Sequence, residues 1–220
     1  MVAGKVLRRA RRSPLDRTAR RLALVVVAHP DLDRSFAAAM SDAAVKGLGE
    51  AGFEVVVLDL YGIGFEAAMS RAERLAYATD QPILDPLVQT HAELVGRAQA
   101  LVFVYPTWWW GMPAVMKGWL ERVMVAGVAF KLHPRTGRFR PGLDHVRRIA
   151  GISTYGTSRL GSLFYNDAGR RTLRRGLRMS APRARTSWFA LHDVDVDVEA
   201  CDPAQRAAFL HKIEKTMGTW

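Results

Sequence analysis

Residues 22–28 read Leu-Ala-Leu-Val-Val-Val-Ala and stop at His29-Pro30. Seven apolar residues with no polar alternation have the length of a strand, and both faces of such a strand must be covered, which suits a buried parallel strand. Parallel neighbours need right-handed crossover connections, so helices should follow. The next segment supplies one: Phe36, Met40, Ala44 and Leu48 make a helical stripe over Ser35 to Leu48, with Ser35 or Asp33 as candidate N-cap and Gly49 and Gly52 beyond its end.

The alternation continues. Glu54 to Leu60 is a second predicted strand, Arg71 to Ala78 a short helix, Pro86 to Ala98 a longer one, and Ala100 to Tyr105 a third strand. Ala114 to Met124 is an amphipathic helix whose Val115, Leu120, Val123 and Met124 form a core stripe; Trp119 joins that core and Lys117 is solvated or structural. Residues 127–145 read as a long loop, Val146 to Ser153 as a fourth strand, Asp167 to Met179 as a basic helix, Ala184 to Ala190 as strand five and Pro203 to Met217 as the closing helix. The order predicts an α/β fold: a doubly wound, five-stranded parallel sheet with helices on both faces.

At 220 residues, 49% hydrophobic and 24% charged, the chain has the composition of one globular domain, expected over residues 22–220. The single cysteine, Cys201, rules out an internal disulfide, and no Cys/His cluster has the spacing of a zinc site, so no metal is expected. A reducing, cytoplasmic setting fits, and no apolar run approaches the roughly 18 residues of a membrane span. The net charge of +11 is uneven: residues 1–21 hold eight basic residues against one acid, Asp16. Such a basic arm is either a poorly ordered, solvated extension or a contact for nucleic acid or an anionic surface. A second basic cluster, from Arg170 to Arg185, either lines an anionic cofactor or forms a solvated helix face.

In doubly wound sheets, ligands bind at the carboxyl ends of the strands. Three loops fall there. His29 to Ser35 opens a helix whose free N–H groups favour an anion, with His29, Arg34 and the Ser35 hydroxyl as added donors, although no Gly-rich nucleotide fingerprint is present. Pro106-Thr107-Trp108-Trp109-Trp110-Gly111-Met112-Pro113 follows the third strand, where Pro106 is expected to end the ladder. Three indoles on a loop should cover something, and a flat heteroaromatic ring is the best candidate. Thr154 to Ser158 follows the fourth strand.

Ala28-His29-Pro30 through Ser35-Phe36, and Tyr105-Pro106-Thr107-Trp108-Trp109-Trp110-Gly111-Met112-Pro113-Ala114 followed by Lys117-Gly118-Trp119, resemble the flavodoxin-like NAD(P)H:quinone oxidoreductase family, over about residues 22–160. The resemblance implies that His29, Ser35 and Phe36 hold the flavin phosphate. It also implies that backbone groups of Thr107 to Gly111 meet the polar edge of the ring, with Trp108, Trp109 and Trp110 packed around it. Ser153-Thr154-Tyr155-Gly156 is similar to the family's Thr-Thr-Gly-Gly turn, whose N–H groups would stabilise negative charge on the reduced ring. Phe130, in Gly127-Val128-Ala129-Phe130, matches the segment that places an aromatic over the neighbouring subunit's flavin, so Phe130 and Trp110 are expected against the substrate in a homodimer.

Two departures stand out. The Tyr and His that relay protons in mammalian-type members are replaced by Ser162, Phe164, Tyr165 and Asn166, with no histidine between His145 and His192, so Tyr155 or Tyr165 is left as the catalytic candidate. The second glycine of the turn is Thr157. The implied activity is ping-pong hydride transfer from NAD(P)H through the flavin to a quinone-like acceptor, with FMN slightly preferred to FAD because no adenine pocket can be argued. The alternative is a flavin-binding regulatory subunit of a membrane transporter or other partner.

Overall fold

The structure is a computed structural model that describes residues 21–77, 79–133, 135–194 and 202–220. Residues 1–20 of the basic arm and Cys201 lie outside the described residues. Arg21, counted above with the arm, is the first residue of strand β1 (Arg21–Val27), its guanidinium 4.1 Å from the centre of the Phe53 ring.

β1 is followed by α1 (Phe36–Glu50), β2 (Phe53–Asp59), α2 (Arg71–Ala76), α3 (Pro86–Arg97), β3 (Ala98–Pro106) and α4 (Ala114–Val123). Then come β4 (Phe130–Leu132), β5 (Phe139–Pro141), β6 (Arg148–Thr154), α5 (Arg159–Phe164), α6 (Ala168–Arg171), a π-helical segment (Thr172–Leu177), α7 (Arg178–Ser180), β7 (Arg185–Leu191) and α8 (Pro203–Met217). The sheet order is β2-β1-β3-β6-β7, every pairing parallel. This is the doubly wound arrangement with the switch point between β1 and β3.

The apolar run of β1 divides between two cores. Leu22, Leu24 and Val26 face Val95, Met116, Trp119, Leu173 and Leu177 on one side, while Ala23, Val25 and Val27 face Met40, Leu48, Phe209 and Ile213 on the other. Both faces are sealed from Leu22 onward, which is why the strand carries no polar residue after the exposed Arg21 at its start. On α4, Trp119 is fully buried and donates its indole N–H to His91 Nδ1 at 3.2 Å, and burial holds His91 below its ordinary range, so it accepts as a neutral ring. Lys117 is exposed and pairs with Glu121.

Three expectations change. β3 continues through Pro106, which lies opposite Thr154; only the proline N–H is missing, and its position as the last strand residue tolerates that. Residues 127–145 contain a short antiparallel ribbon, β4 against β5, tied by stacking of Phe130 on Phe139 at 5.4 Å. The basic helix is not uniform: α5 precedes it, and a π-helical segment interrupts it.

Candidate functional site

The loops after β1, β3 and β6 meet at the carboxyl edge of the sheet. A cavity of about 370 Å³ is lined by His29, Ser35 and Phe36 from the first loop, Pro106, Thr107 and Trp108 from the second, and Thr154 and Gly156 from the third. A second cavity of about 300 Å³ adjoins it through Thr107 and Gly156 and adds Trp109, Trp110, Tyr155 and Thr157. Three segments far apart in the sequence are thus closed into one slot. Arg34 is exposed and lines neither cavity.

At the first loop, Ser35 is the N-cap of α1, yet its hydroxyl donates backward to Leu32 O at 3.1 Å and no side chain caps the helix. Ala38 N turns back to Ser35 O at 3.1 Å, while the N–H groups of Phe36 and Ala37 have no partner among the described residues and stay available beside the cavity. His29 Nδ1 accepts from Asp31 N at 3.1 Å, which leaves Nε2 as the ring's donor position.

The tryptophan loop is a two-residue hairpin. Trp108 N donates to Gly111 O at 3.1 Å and Gly111 N to Trp108 O at 3.0 Å, and both central residues are left-handed, Trp109 at φ 47° and Trp110 at φ 60°. Turns of this kind ordinarily carry Asn-Gly, because a side chain in that region costs about 1–2 kcal/mol. The turn splits the indoles: Trp108 lies 6.4 Å from the His29 ring, Trp110 stacks on Tyr165 at 3.9 Å, and Trp109 is 97% exposed. Thr107 N is spent on Thr154 O at 2.9 Å, so among the backbone donors expected to meet a ring edge only those of Trp109 and Trp110 lack a partner among the described residues. Ser153 is fully buried and its hydroxyl pairs with that of Thr107 at 2.8 Å, bracing the second loop on the third.

Tyr155 and Tyr165 separate clearly. Tyr155 is 2% exposed, donates to Asp167 Oδ2 at 2.6 Å, and stacks on His192 at 4.7 Å. Burial, and then the bond to the Asp167 carboxylate, push its hydroxyl well above tyrosine's ordinary range, so it stays protonated. Tyr165 is half exposed and makes its ring contacts with Trp110 and Phe164. Asp167 and His192 escaped the sequence reading, since neither sits in a motif and both reach Tyr155 only through tertiary packing. His192 Nδ1 and Tyr105 Oη are buried without hydrogen-bond partners among the described residues, and both belong to this neighbourhood: His192 under Tyr155, and Tyr105 where a Cβ on Gly169 would come within 2.7 Å. Phe130 lies on β4, against Phe139 and the main core, and lines neither cavity.

A crevice at the switch point, with an open helix N-terminus at one end and an aromatic hairpin at the other, is the ligand site of a doubly wound flavodoxin-like protein. Residues 22–213 match the family described as Flavodoxin-like fold, and the chain belongs to it. It is similar to NAD(P)H dehydrogenase (quinone) 1 of Rattus norvegicus, 36% identical over 158 residues, which is 65% of this chain and 57% of the rat protein. The chain thus spans little more than half the length of that relative. In fold it is similar to the NAD(P)H:quinone oxidoreductase from Methanothermobacter marburgensis, with TM-score 0.75 and 24% identity over 91% of this chain and 97% of the other. It is also similar to an FMN-dependent NADH-azoreductase from Bacillus anthracis in complex with FMN, with TM-score 0.69 and 17% identity over 90% and 98%.

Proposed function

We propose that this chain is a flavin-dependent NAD(P)H oxidoreductase that reduces quinones or similar electron-poor acceptors by ping-pong hydride transfer. The observation that carries the reading is the pair of joined cavities at the carboxyl edge, where the uncapped N-terminus of α1 faces one and the indoles of the hairpin wall the other. An anionic tail and a flat ring are the two halves of a flavin, and the donor set fits both. His29, the N–H groups of Phe36 and Ala37, and the Ser35 hydroxyl once turned away from Leu32 O would hold the phosphate, while Thr107, Trp108 and Trp110 would flank the ring. When bound, the flavin supplies hydride acceptance from a reduced nicotinamide and its onward delivery to the acceptor.

The chain's own residues supply the rest. Gly156 and Thr157 present backbone N–H groups with no partner among the described residues, placed to stabilise negative charge at the ring edge. Tyr155 keeps a proton at its hydroxyl, shared with Asp167 Oδ2, within the wall of the slot. The indoles exclude water from the stacking face. Because donor and acceptor would use the same face in turn, double-displacement kinetics follow. FMN is the preferred cofactor, supported by the FMN complex of the azoreductase of like fold. A homodimer is supported by exposed apolar surface beside the hairpin: Leu160 and Phe164 on α5 are 80% and 83% exposed. Among the described residues no helix is long and apolar enough to cross a membrane, in keeping with a cytoplasmic enzyme.

The test is the absorption spectrum of the purified full chain, mass analysis of the released cofactor, and turnover of NADH or NADPH with menadione. The expected result is a yellow protein that releases FMN and gives parallel double-reciprocal lines. A protein that takes up neither flavin, or binds one without turnover, would overturn the reading.

A further inference from the structure

Beside the slot lies a cleft of about 420 Å³ walled by Arg170, Arg171, Arg174, Arg175 and Arg178. The spacing i, i+1, i+4, i+5, i+8 gathers all five on one side of the helical stretch 168–180, while Leu173 and Leu177 anchor that stretch in the core. Three pairs of like charge stand four residues apart, an arrangement that destabilises a helix. The π-helical segment through Thr172–Leu177 interrupts the same stretch, and such interruptions occur frequently at functional sites. No ion pair relieves the arginines among the described residues. The carboxylate in the cleft wall, Asp167, cannot serve them fully: Oδ2 is taken by the Tyr155 hydroxyl and Oδ1 by the N–H of Arg170.

We infer that this cleft binds the phosphate groups of the pyridine nucleotide. The inference rests on the proposed function. The cleft and the slot share a wall, since Asp167 lines the cleft while its partner Tyr155 lines the slot, and Ala168 N donates to Trp110 O at 3.2 Å. A co-substrate with a flat ring at one end and phosphates beyond it matches an aromatic slot that continues into an arginine cleft. Arginine forks suit phosphate oxygens in pairs, and the cavity is of small-ligand size.

The experiment uses the flavin-loaded full chain and the pair of substitutions Arg174→Gln and Arg175→Gln. Calorimetric titration with NADP⁺, NAD⁺ and inorganic pyrophosphate is read beside the KM for NADPH and NADH. Affinity for NADP⁺ and pyrophosphate should fall at least about tenfold, with a matching rise in KM. A loss confined to NADP⁺ and NADPH assigns the cleft to the 2′-phosphate, and a loss for both nucleotides assigns it to the pyrophosphate. The lysine pair, which keeps the charge but not the fork, should lie between wild type and the glutamines, and it stands in if the glutamine protein does not fold. Unchanged nucleotide binding in a folded variant overturns the inference. So does loss of oligonucleotide binding alone, which would give the cleft to nucleic acid. Arginine-dependent NADP⁺ binding without quinone turnover would defeat the proposed function and leave the cleft assigned.

Discussion

The hairpin tip offers a test in which stability and activity should move in opposite directions. Trp109 and Trp110 both occupy the left-handed region, but their side chains are placed differently: Trp109 is 97% exposed, whereas Trp110 stacks on Tyr165 with ring centres 3.9 Å apart. Asparagine tolerates that backbone conformation. Trp109→Asn removes an indole that buries almost nothing and relieves about 1 kcal/mol of backbone cost, which corresponds to a rise of about 2–4 °C in Tm for a domain of this size. Trp110→Asn gains the same relief but forfeits the aromatic pair, about 0.5–1.5 kcal/mol beyond its area, so it should finish at or below wild type. Equilibrium urea unfolding of the flavin-free proteins, followed by far-ultraviolet circular dichroism, gives the order Trp109→Asn above wild type above or equal to Trp110→Asn. Trp109 also walls the slot, so menadione turnover should fall in the stabilised variant, the exchange of stability against activity expected at a functional site. Repeating the measurement over a tenfold range of protein concentration separates a dimer contribution from the turn itself. Destabilisation by Trp109→Asn at every concentration would refute the reasoning.

Other outcomes follow from single contacts. Arg122, with a side chain 5% exposed, holds Glu73 Oε1 at 2.7 Å and Asp85 Oδ2 at 2.8 Å, so Arg122→Leu leaves two carboxylates unpaired and should cost about 3–5 kcal/mol in urea unfolding. Burial pushes both carboxyls upward, but backbone N–H donors and the Arg122 guanidinium outweigh it and hold Glu73 and Asp85 below their ordinary ranges. Carboxylates depressed in the folded state contribute stability that is complete above their unfolded values and lost as pH falls through the folded ones. Wild-type stability should therefore drop as pH falls below about 5, and the drop should flatten in Arg122→Leu. Gly118→Ala would set a Cβ 2.2 Å from the Ala67 carbonyl oxygen, and backbone cannot step aside cheaply, so thermal melting should show a loss of about 2 kcal/mol or more. Tyr155→Phe should keep the flavin yet lower kcat at least about tenfold if its hydroxyl supplies a proton, while Tyr165→Phe, which preserves the stack on Trp110, should leave kcat within about twofold. Equal effects of the two would remove Tyr155 from the proton path.

The fold was legible where one segment carries its own signal. The unbroken apolar runs at Leu22 and Ala100 announce strands covered on both faces, and α8 begins and ends where expected because Asp202, accepting from Ala204 N at 2.9 Å, and Pro203 mark its start locally. The β4–β5 ribbon was not legible: each strand has three residues, too few to show a period, and the pair is held by a Phe130–Phe139 contact between separate segments. The same holds at the site. The three sheet-end loops follow from the order of elements, and most residues expected there line the joined cavities, but Arg34 points to no cavity and Asp167 carries no motif. The Arg122 cluster joins residues 37 and 49 positions away, a separation at which no local pattern exists.

The hydroxyl bridge between Thr107 and Ser153, with Thr107 N on Thr154 O, has a consequence for anyone wishing to alter what this protein accepts. It welds one wall of the slot, the proposed seat of the flavin, into the sheet, so changes at Thr107 or Ser153 should cost flavin occupancy before they change acceptor preference. The hairpin tip carries no such weld. A library that randomises position 109 would alter the outer rim of the slot, where the proposed acceptor would enter, from a residue that almost nothing else leans on, and leaves that wall as it stands.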